Sequence, residues 1–281
     1  MVARFGLELV RENRNSIVRR PRTIVRSIII VAACLSGAGC DFGGAPNGQG
    51  PGHRPQRLLL NPRQELAVGR QAFQEIEGQL PEVSRGEGPR RVEVVGRRIA
   101  DTTKIEPLMR EINLHTRGFY YEWEFKLFQS SEVNAFCLPG GKVGVFTGML
   151  PVVANDDQLA AVLAHEIAHA LAHHTSERLA REQALGGGIL AKLGGLRYDR
   201  EQESEADHIG VFLMTFAGYA PGEAVAFWER MAEASGRGGQ LPEVLRTHPS
   251  DEHRVAQLRD WVPRALGAKR AYDEGRIAPA R

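Results

Sequence analysis

Cysteine is scarce in this chain of 281 residues: only Cys34, Cys40 and Cys137 occur. The first two lie at the end of an N-terminal apolar run. Cys137 therefore stands alone in the remainder, which excludes a disulfide framework. A solitary cysteine there reads as a small buried apolar residue. An excess of one charge is also lacking. The formal net charge is +2, and much of the basic surplus falls before residue 30, in RENRNSIVRRPRTIVR. The rest of the chain is close to neutral or slightly acidic and offers no basic face, so a nucleic-acid partner is not expected. No internal repeat is visible. The N-terminal apolar run is about a dozen residues, short of the roughly 20 that a membrane-spanning helix needs.

The composition is otherwise ordinary for a globular protein, 42% hydrophobic and 25% charged, and the chain is long enough for one good-sized core or two small ones. A basic stretch from Arg11 to Arg26 precedes SIIIVAACLSGAGC. A positive segment, a short apolar core and small residues closing on a cysteine have the layout of a lipoprotein signal peptide over residues 1–40. Cys40 is the expected lipidation site, with Cys34 (in VAAC) as the alternative. Either way the folded part leaves the cytoplasm. Residues 41–60 read as a linker, most plainly in the Gly/Pro-rich DFGGAPNGQGPGHRPQ of 41–56, a flexible tether. One folded domain is expected over 61–281.

Within it, Asn61-Pro62 fits an N-cap and first turn, followed by helical spacing of Leu66, Phe73, Ile76 and Leu80. A second helix is expected within 89–113, ended or interrupted near Pro107. YYEWEFKLF (120–128) alternates polar and apolar residues like a half-buried strand, and Pro139-Gly140-Gly141 forms a turn ahead of the apolar KVGVF. Together 120–147 read as a small antiparallel sheet. One long helix is expected from Asp156 to about Gln183, stopped by Gly186-Gly187-Gly188. Further helices are expected over about 199–217, 221–235 and 250–266. The fold class is mainly α (α+β).

The long helix contains LAAVLAHEIAHALAHH, with His165, His169, His173 and His174. His165-Glu166-Ile167-Ala168-His169 is HExxH. Residues four apart share a helix face, so both imidazoles reach one ion, while Glu166 lies about 100° round from His165 and is placed to serve as general base on a water. His173 lies about 80° from His165 and two turns away, and reads as helix surface; His174 lies about 180° away and reads as hydrogen-bonded to neighbouring structure. A catalytic zinc takes three protein ligands and leaves one position open. The third is expected in RYDREQESEADHIG (197–210), where Glu203 and Asp207 share a face. One can bind metal and the other can accept the N–H of a ligand histidine; Glu201 and Glu205 are the competing choices.

HEIAHALAHH, then EQESEAD, then THPSDEHR (247–254), together with NAFCLPGGKVGVFTGML, resembles the M48 family of zinc metallopeptidases over about residues 60–265, and among them its bacterial lipoprotein and periplasmic members. The resemblance implies a zincin-type domain with a small antiparallel sheet beside the active-site helix, holding one Zn2+ per chain. It implies His165, His169 and Glu203 as metal ligands, Glu166 as catalytic base and Asp207 as the partner of a ligand histidine. His248 matches the family's His-Pro motif and is expected to stabilise an oxyanion, to gate the site, or simply to cap a turn. A substrate would lie extended along the strand near 142–147, with Asn134, Gly141 and Val143 as contact candidates. The activity implied is a zinc endopeptidase on the periplasmic side of a bacterial membrane, lipid-anchored, acting on unfolded or misassembled envelope polypeptides in quality control. The alternative is a non-proteolytic assembly factor or chaperone that keeps a zinc site.

Overall fold

Asn61 opens the first helix among the described residues. A computed structural model describes residues 42–43, 56–114, 118–184, 199–236, 242–248 and 252–276. The two lipidation candidates, Cys34 and Cys40, the Gly186–Gly188 helix stop and the Pro249-Ser250 helix start lie outside the described residues. In α1 (Pro62–Gln79) the Asn61 side chain accepts from the Gln64 amide and the Gln64 side chain accepts from the Asn61 amide, a reciprocal capping box with proline at the first helical position. The next helical stretch is split. α2 (Glu87–Thr102) ends before Pro107, and a short α3 (Glu106–Glu111) carries that proline in its first turn, where its missing N–H removes no helical hydrogen bond.

Packing begins before Asn61. Strand β1 (Phe42–Gly43) pairs antiparallel with β2 (Arg57–Leu58). Leu58 and Leu60 are buried, and the Leu60 amide donates to Ser176 Oγ at 2.8 Å. Residues 57–60, placed in the linker on composition, are thus part of the folded unit.

Strands β3 (Glu124–Phe128), β4 (Ala135–Leu138) and β5 (Lys142–Phe146) form a sheet in the order β3-β5-β4. β4 and β5 are the hairpin announced by Pro139-Gly140-Gly141, whose glycines take φ values of +78° and +92°. The expectation of a wholly antiparallel sheet is corrected: β3 runs parallel to β5, with Glu124 opposite Lys142 and Phe128 opposite Phe146. The hairpin's second arm has slipped between β3 and β4. Alternation in a sequence reports which side chains face inward, and says nothing of which neighbour a strand takes. All five residues of β5 are buried and both its edges are paired.

The single long helix expected from Asp156 is two. α4 (Asp156–Leu171) and α5 (His174–Ala184) meet at a corner where His173 has φ +56°. Apart from its first turn and the HExxH side chains α4 is apolar, which suits a central helix, and every residue from Gln158 to Leu171 is buried. It packs against α2, β4, α6 (Arg200–Phe216) and α7 (Gly222–Gly236). Asp199 caps α6 by accepting from the Gln202 amide. α6 comes close to α4 at Gly210, where an added Cβ would lie within 3.1–3.2 Å of the α4 backbone at Ala164 and His165. A short α8 (Glu243–Thr247), not anticipated, precedes α9 (Glu252–Asp273), which runs through Pro263 and past the expected end at 266. One apolar core joins α2, the sheet, α4, α6, α7 and α9. A smaller one of Phe73, Ile76, Leu80, Phe128 and Phe146 fixes α1 to the sheet. No helix among the described residues is long and apolar enough to cross a membrane.

Candidate active site

His165 and His169 stand one turn apart on α4, and their Nε2 atoms converge to 3.0 Å. Glu203, in the first turn of α6, brings Oε2 to 3.3 Å from His165 Nε2 and Oε1 to 3.5 Å from His169 Nε2. His248, just past α8, sets Nδ1 at 2.9 Å from Glu203 Oε1 and 3.2 Å from His165 Nε2. One donor atom from each of these four buried residues lies within 4.8 Å of the others. A tetrahedral zinc with bonds of about 2.1 Å holds its ligand atoms about 3.4 Å apart, close to these spacings. The buried Glu203 carboxylate turns both oxygens toward these imidazole nitrogens, so negative charge lies where a cation would sit. The donor set fits zinc.

The far side of each imidazole is also held. His165 Nδ1 lies 2.9 Å from Asp207 Oδ1, one turn beyond Glu203 on α6. His169 Nδ1 lies 2.8 Å from His174 Nδ1, and His174 Nε2 lies 3.0 Å from Glu205 Oε2. Both arrangements hold a proton on the ligand's Nδ1 and leave Nε2 for a metal. Of the competing acidic residues, Glu205 is thus spent on His174 and Glu201 is exposed. Glu166 is buried beside the cluster, its Oε1 3.4 Å from His248 Nε2.

Burial opposes charge throughout, yet neighbours decide the outcome. Glu203 is buried, but His248, Arg254 and His165 hold it well below the usual carboxylate range. Asp207 is likewise lowered against its burial, chiefly by Arg254. Burial pushes the Glu166 carboxyl up, against the pull of His248 and His165. His169 is driven well below the ordinary imidazole value by burial, which leaves it neutral. For His165, burial and Arg254 act downward, but Glu203 and Asp207 prevail and raise it to about 9.

Arg254 is the residue that sequence reasoning missed. It is buried, bonds Asp207 through two nitrogens (Nη2 to Oδ1 at 2.8 Å), pairs with Glu203 Oε2 at 2.9 Å and lies 3.7 Å above the Trp228 ring. The signal was an arginine on the apolar stripe of α9, four residues before the buried Leu258.

Two expectations are corrected. His173 is not helix surface: it is buried, with Nδ1 2.9 Å from Glu65 Oε2, because the chain turns there instead of continuing the helix. The strand near 142–147 cannot take a substrate backbone, because β5 is the central strand. Val143 is fully buried on it, and Gly141 spends its N–H on Leu138 O and its carbonyl on the Glu124 amide. The edge is β4. Asn134 leads into it, its carbonyl accepting from Phe146 and its Oδ1 from the Ala135 amide. The ladder's alternation then turns the amides and carbonyls of Ala135 and Cys137 away from β5. Cys137 itself is a free, buried thiol, pushed well up by burial and by Glu166.

Known proteins share this region. The chain is 38% identical over 169 residues to the mitochondrial metalloendopeptidase OMA1 of Schizosaccharomyces pombe, covering 54% of this chain and 50% of that protein. It is 39% identical over 166 residues to its namesake in Saccharomyces cerevisiae (51% and 48%). It is 27% identical over 186 residues to the beta-barrel assembly-enhancing protease of Escherichia coli (57% and 38%). The chain thus spans about half the length of the two fungal relatives and less of the third. A profile of peptidase family M48 matches residues 101–192 and 183–262, more than half of the chain and all of the metal-binding cluster. The chain belongs to peptidase family M48.

Proposed function

We propose that the protein is a zinc-dependent endopeptidase. The observation that carries this is the convergence of His165 Nε2, His169 Nε2 and Glu203 on one point with the Glu166 carboxyl buried beside it. His165, His169 and Glu203 would hold the ion, with Asp207 orienting His165. Zinc bound there supplies Lewis acidity to a water and to a peptide carbonyl. Glu166 takes the proton of the attacking water and delivers it to the departing amine nitrogen; its raised affinity for a proton suits both transfers. The outward amide and carbonyl of Cys137 on β4 pair with an extended polypeptide and hold it along the cleft. Substitution Glu166→Gln is expected to keep zinc bound while casein cleavage falls by ~10² to 10⁴-fold. Undiminished cleavage by that variant would sink the mechanism.

His248 favours one further reading. Its Nδ1 stands among the ligand atoms in the fourth position, which a working site reserves for water. We read this arrangement as a latent form of the enzyme, with His248 gating the site. The rival is a non-proteolytic assembly factor whose zinc is structural, since structural sites fill all four positions with protein. Casein cleavage that rises in His248→Ala supports latency. Cleavage absent from both this variant and the parent supports the rival.

The setting belongs to the same proposal. The lipoprotein-like N-terminus supports a lipid-anchored domain on the periplasmic side of a bacterial membrane, with Cys40 (or Cys34) lipidated. The resemblance to the assembly-enhancing protease supports unfolded or misassembled envelope polypeptides as substrates. The fungal relatives are named as mitochondrial, so the compartment rests on the leader of this chain.

A further inference from the structure

A second buried polar cluster lies just beyond the ligand histidines, where α4 gives way to α5. Glu65 of α1 reaches across to His173, Oε2 to Nδ1 at 2.9 Å. The Phe119 ring covers the imidazole with centroids 3.7 Å apart. Glu65 and His173 are both buried. Glu65 Oε1, His173 Nε2 and the Tyr121 hydroxyl are buried without a hydrogen-bond partner. His173 also holds φ +56°, in the left-handed region that only a few per cent of non-glycine residues occupy, histidine, asparagine and aspartate more often than the rest. For stability alone, apolar residues and a glycine would serve better here. Backbone strain and unspent polar groups together point to a positional task.

The task is visible in the next residue. His174 is the first residue of α5, so the direction of its side chain is set by the turn at His173. That turn aims His174 Nδ1 back at His169 Nδ1, 2.8 Å away, with Glu205 behind it at 3.0 Å. If α4 ran on, His174 would point about 140° away from His169, five steps of about 100° each further along the helix. The helix break is therefore what brings the two imidazoles together. From the opposite side, Ser176 on α5 binds the Leu59 and Leu60 amides, so α5 is tied down beyond the corner as well.

We propose that Glu65 and His173 are positioning residues for the metal-binding imidazole of His169, acting through His174. Glu65 anchors the strained corner by its hydrogen bond. The corner presents His174, and His174 holds His169 with Nε2 directed toward the ion's position. Neither Glu65 nor His173 touches the ion or the substrate. The inference rests on the zinc reading of the site.

The test is zinc affinity of the full chain, measured by competition with a chromophoric chelator, alongside the melting temperature of the metal-free protein. His174→Ala is expected to weaken zinc by 10- to 100-fold, roughly the effect of losing a ligand's hydrogen-bond partner. Glu65→Ala is expected to weaken it by about tenfold, and Glu65→Gln, which keeps an acceptor, to restore affinity to within about threefold of the parent. In the double variant Glu65→Ala/His174→Ala the loss should be no greater than in His174→Ala alone, because both act along one path. Should Glu65→Ala fail to fold, His173→Gly takes its place: it keeps the turn without strain, loses the anchor, and is expected to lose the same tenfold. Two results overturn the proposal: a Glu65→Ala protein that melts lower but binds zinc within about twofold of the parent, or losses that add in the double variant. A parent chain that binds no zinc would instead refute the site reading itself.

Discussion

Two buried polar clusters succeed one another along α4, and they are balanced differently. Around His165 and His169 the charges answer each other: Arg254 lies against Asp207 and Glu203, and the Glu203 carboxylate also turns toward the two ligand imidazoles, where a cation fits. Around His173 one carboxylate meets one imidazole, and three polar atoms have no partner. The first cluster is a closed electrostatic unit with a single opening. The second is held by the shape of the chain around it. A group in the first should be costly to remove because it strands a charge, whereas a bare group in the second should be cheap.

Arg254→Ala breaks the first cluster most directly. Two carboxylates would be left buried without their cation, and the metal-free protein is expected to lose about 3–5 kcal/mol in urea denaturation. A loss under about 1 kcal/mol would show that the carboxylates find other partners or take up protons. A smaller effect is chemical. His165 keeps a proton up to about 9 while the site holds no metal, and zinc must displace it. Zinc affinity should therefore fall by about tenfold for each unit of pH below about 9. A flat profile between pH 9 and 7 would mean that no proton is released on binding. Tyr121→Phe gives the smallest change and the sharpest contrast. Its hydroxyl is buried without a partner, so removing it should shift stability by less than about 1 kcal/mol, in the stabilising direction. A loss above about 2 kcal/mol would place the second cluster in the same class as the first.

Features written in neighbouring residues were legible in advance. The Asn61 N-cap before Pro62, the Pro139–Gly141 turn and the shared face of His165 and His169 depend on residues within four positions of one another. Glu203 and Asp207 were readable as a pair, but choosing between them needed the family resemblance. Features that depend on how distant segments meet were not legible. The helical pattern runs unbroken through ALAHHTSERLA, and nothing local marks His173 as a corner; Glu65, 108 residues earlier, is what meets it there. The pairing of β3 with β5 is set by packing, not by alternation. Arg254 looked like one more charge at the start of a helix until α9 turned it inward over Trp228.

The four donors come from three well-separated stretches of the chain, and His165 and His248 are separated by 83 residues. An ion shared by α4, α6 and the end of α8 would therefore act as a staple across the middle of the domain. At a free concentration a thousand times its dissociation constant, it would add about 4 kcal/mol to the folded state. Scavenging zinc from the medium would then weaken the architecture as well as the chemistry, making metal supply a control on how long the protein survives.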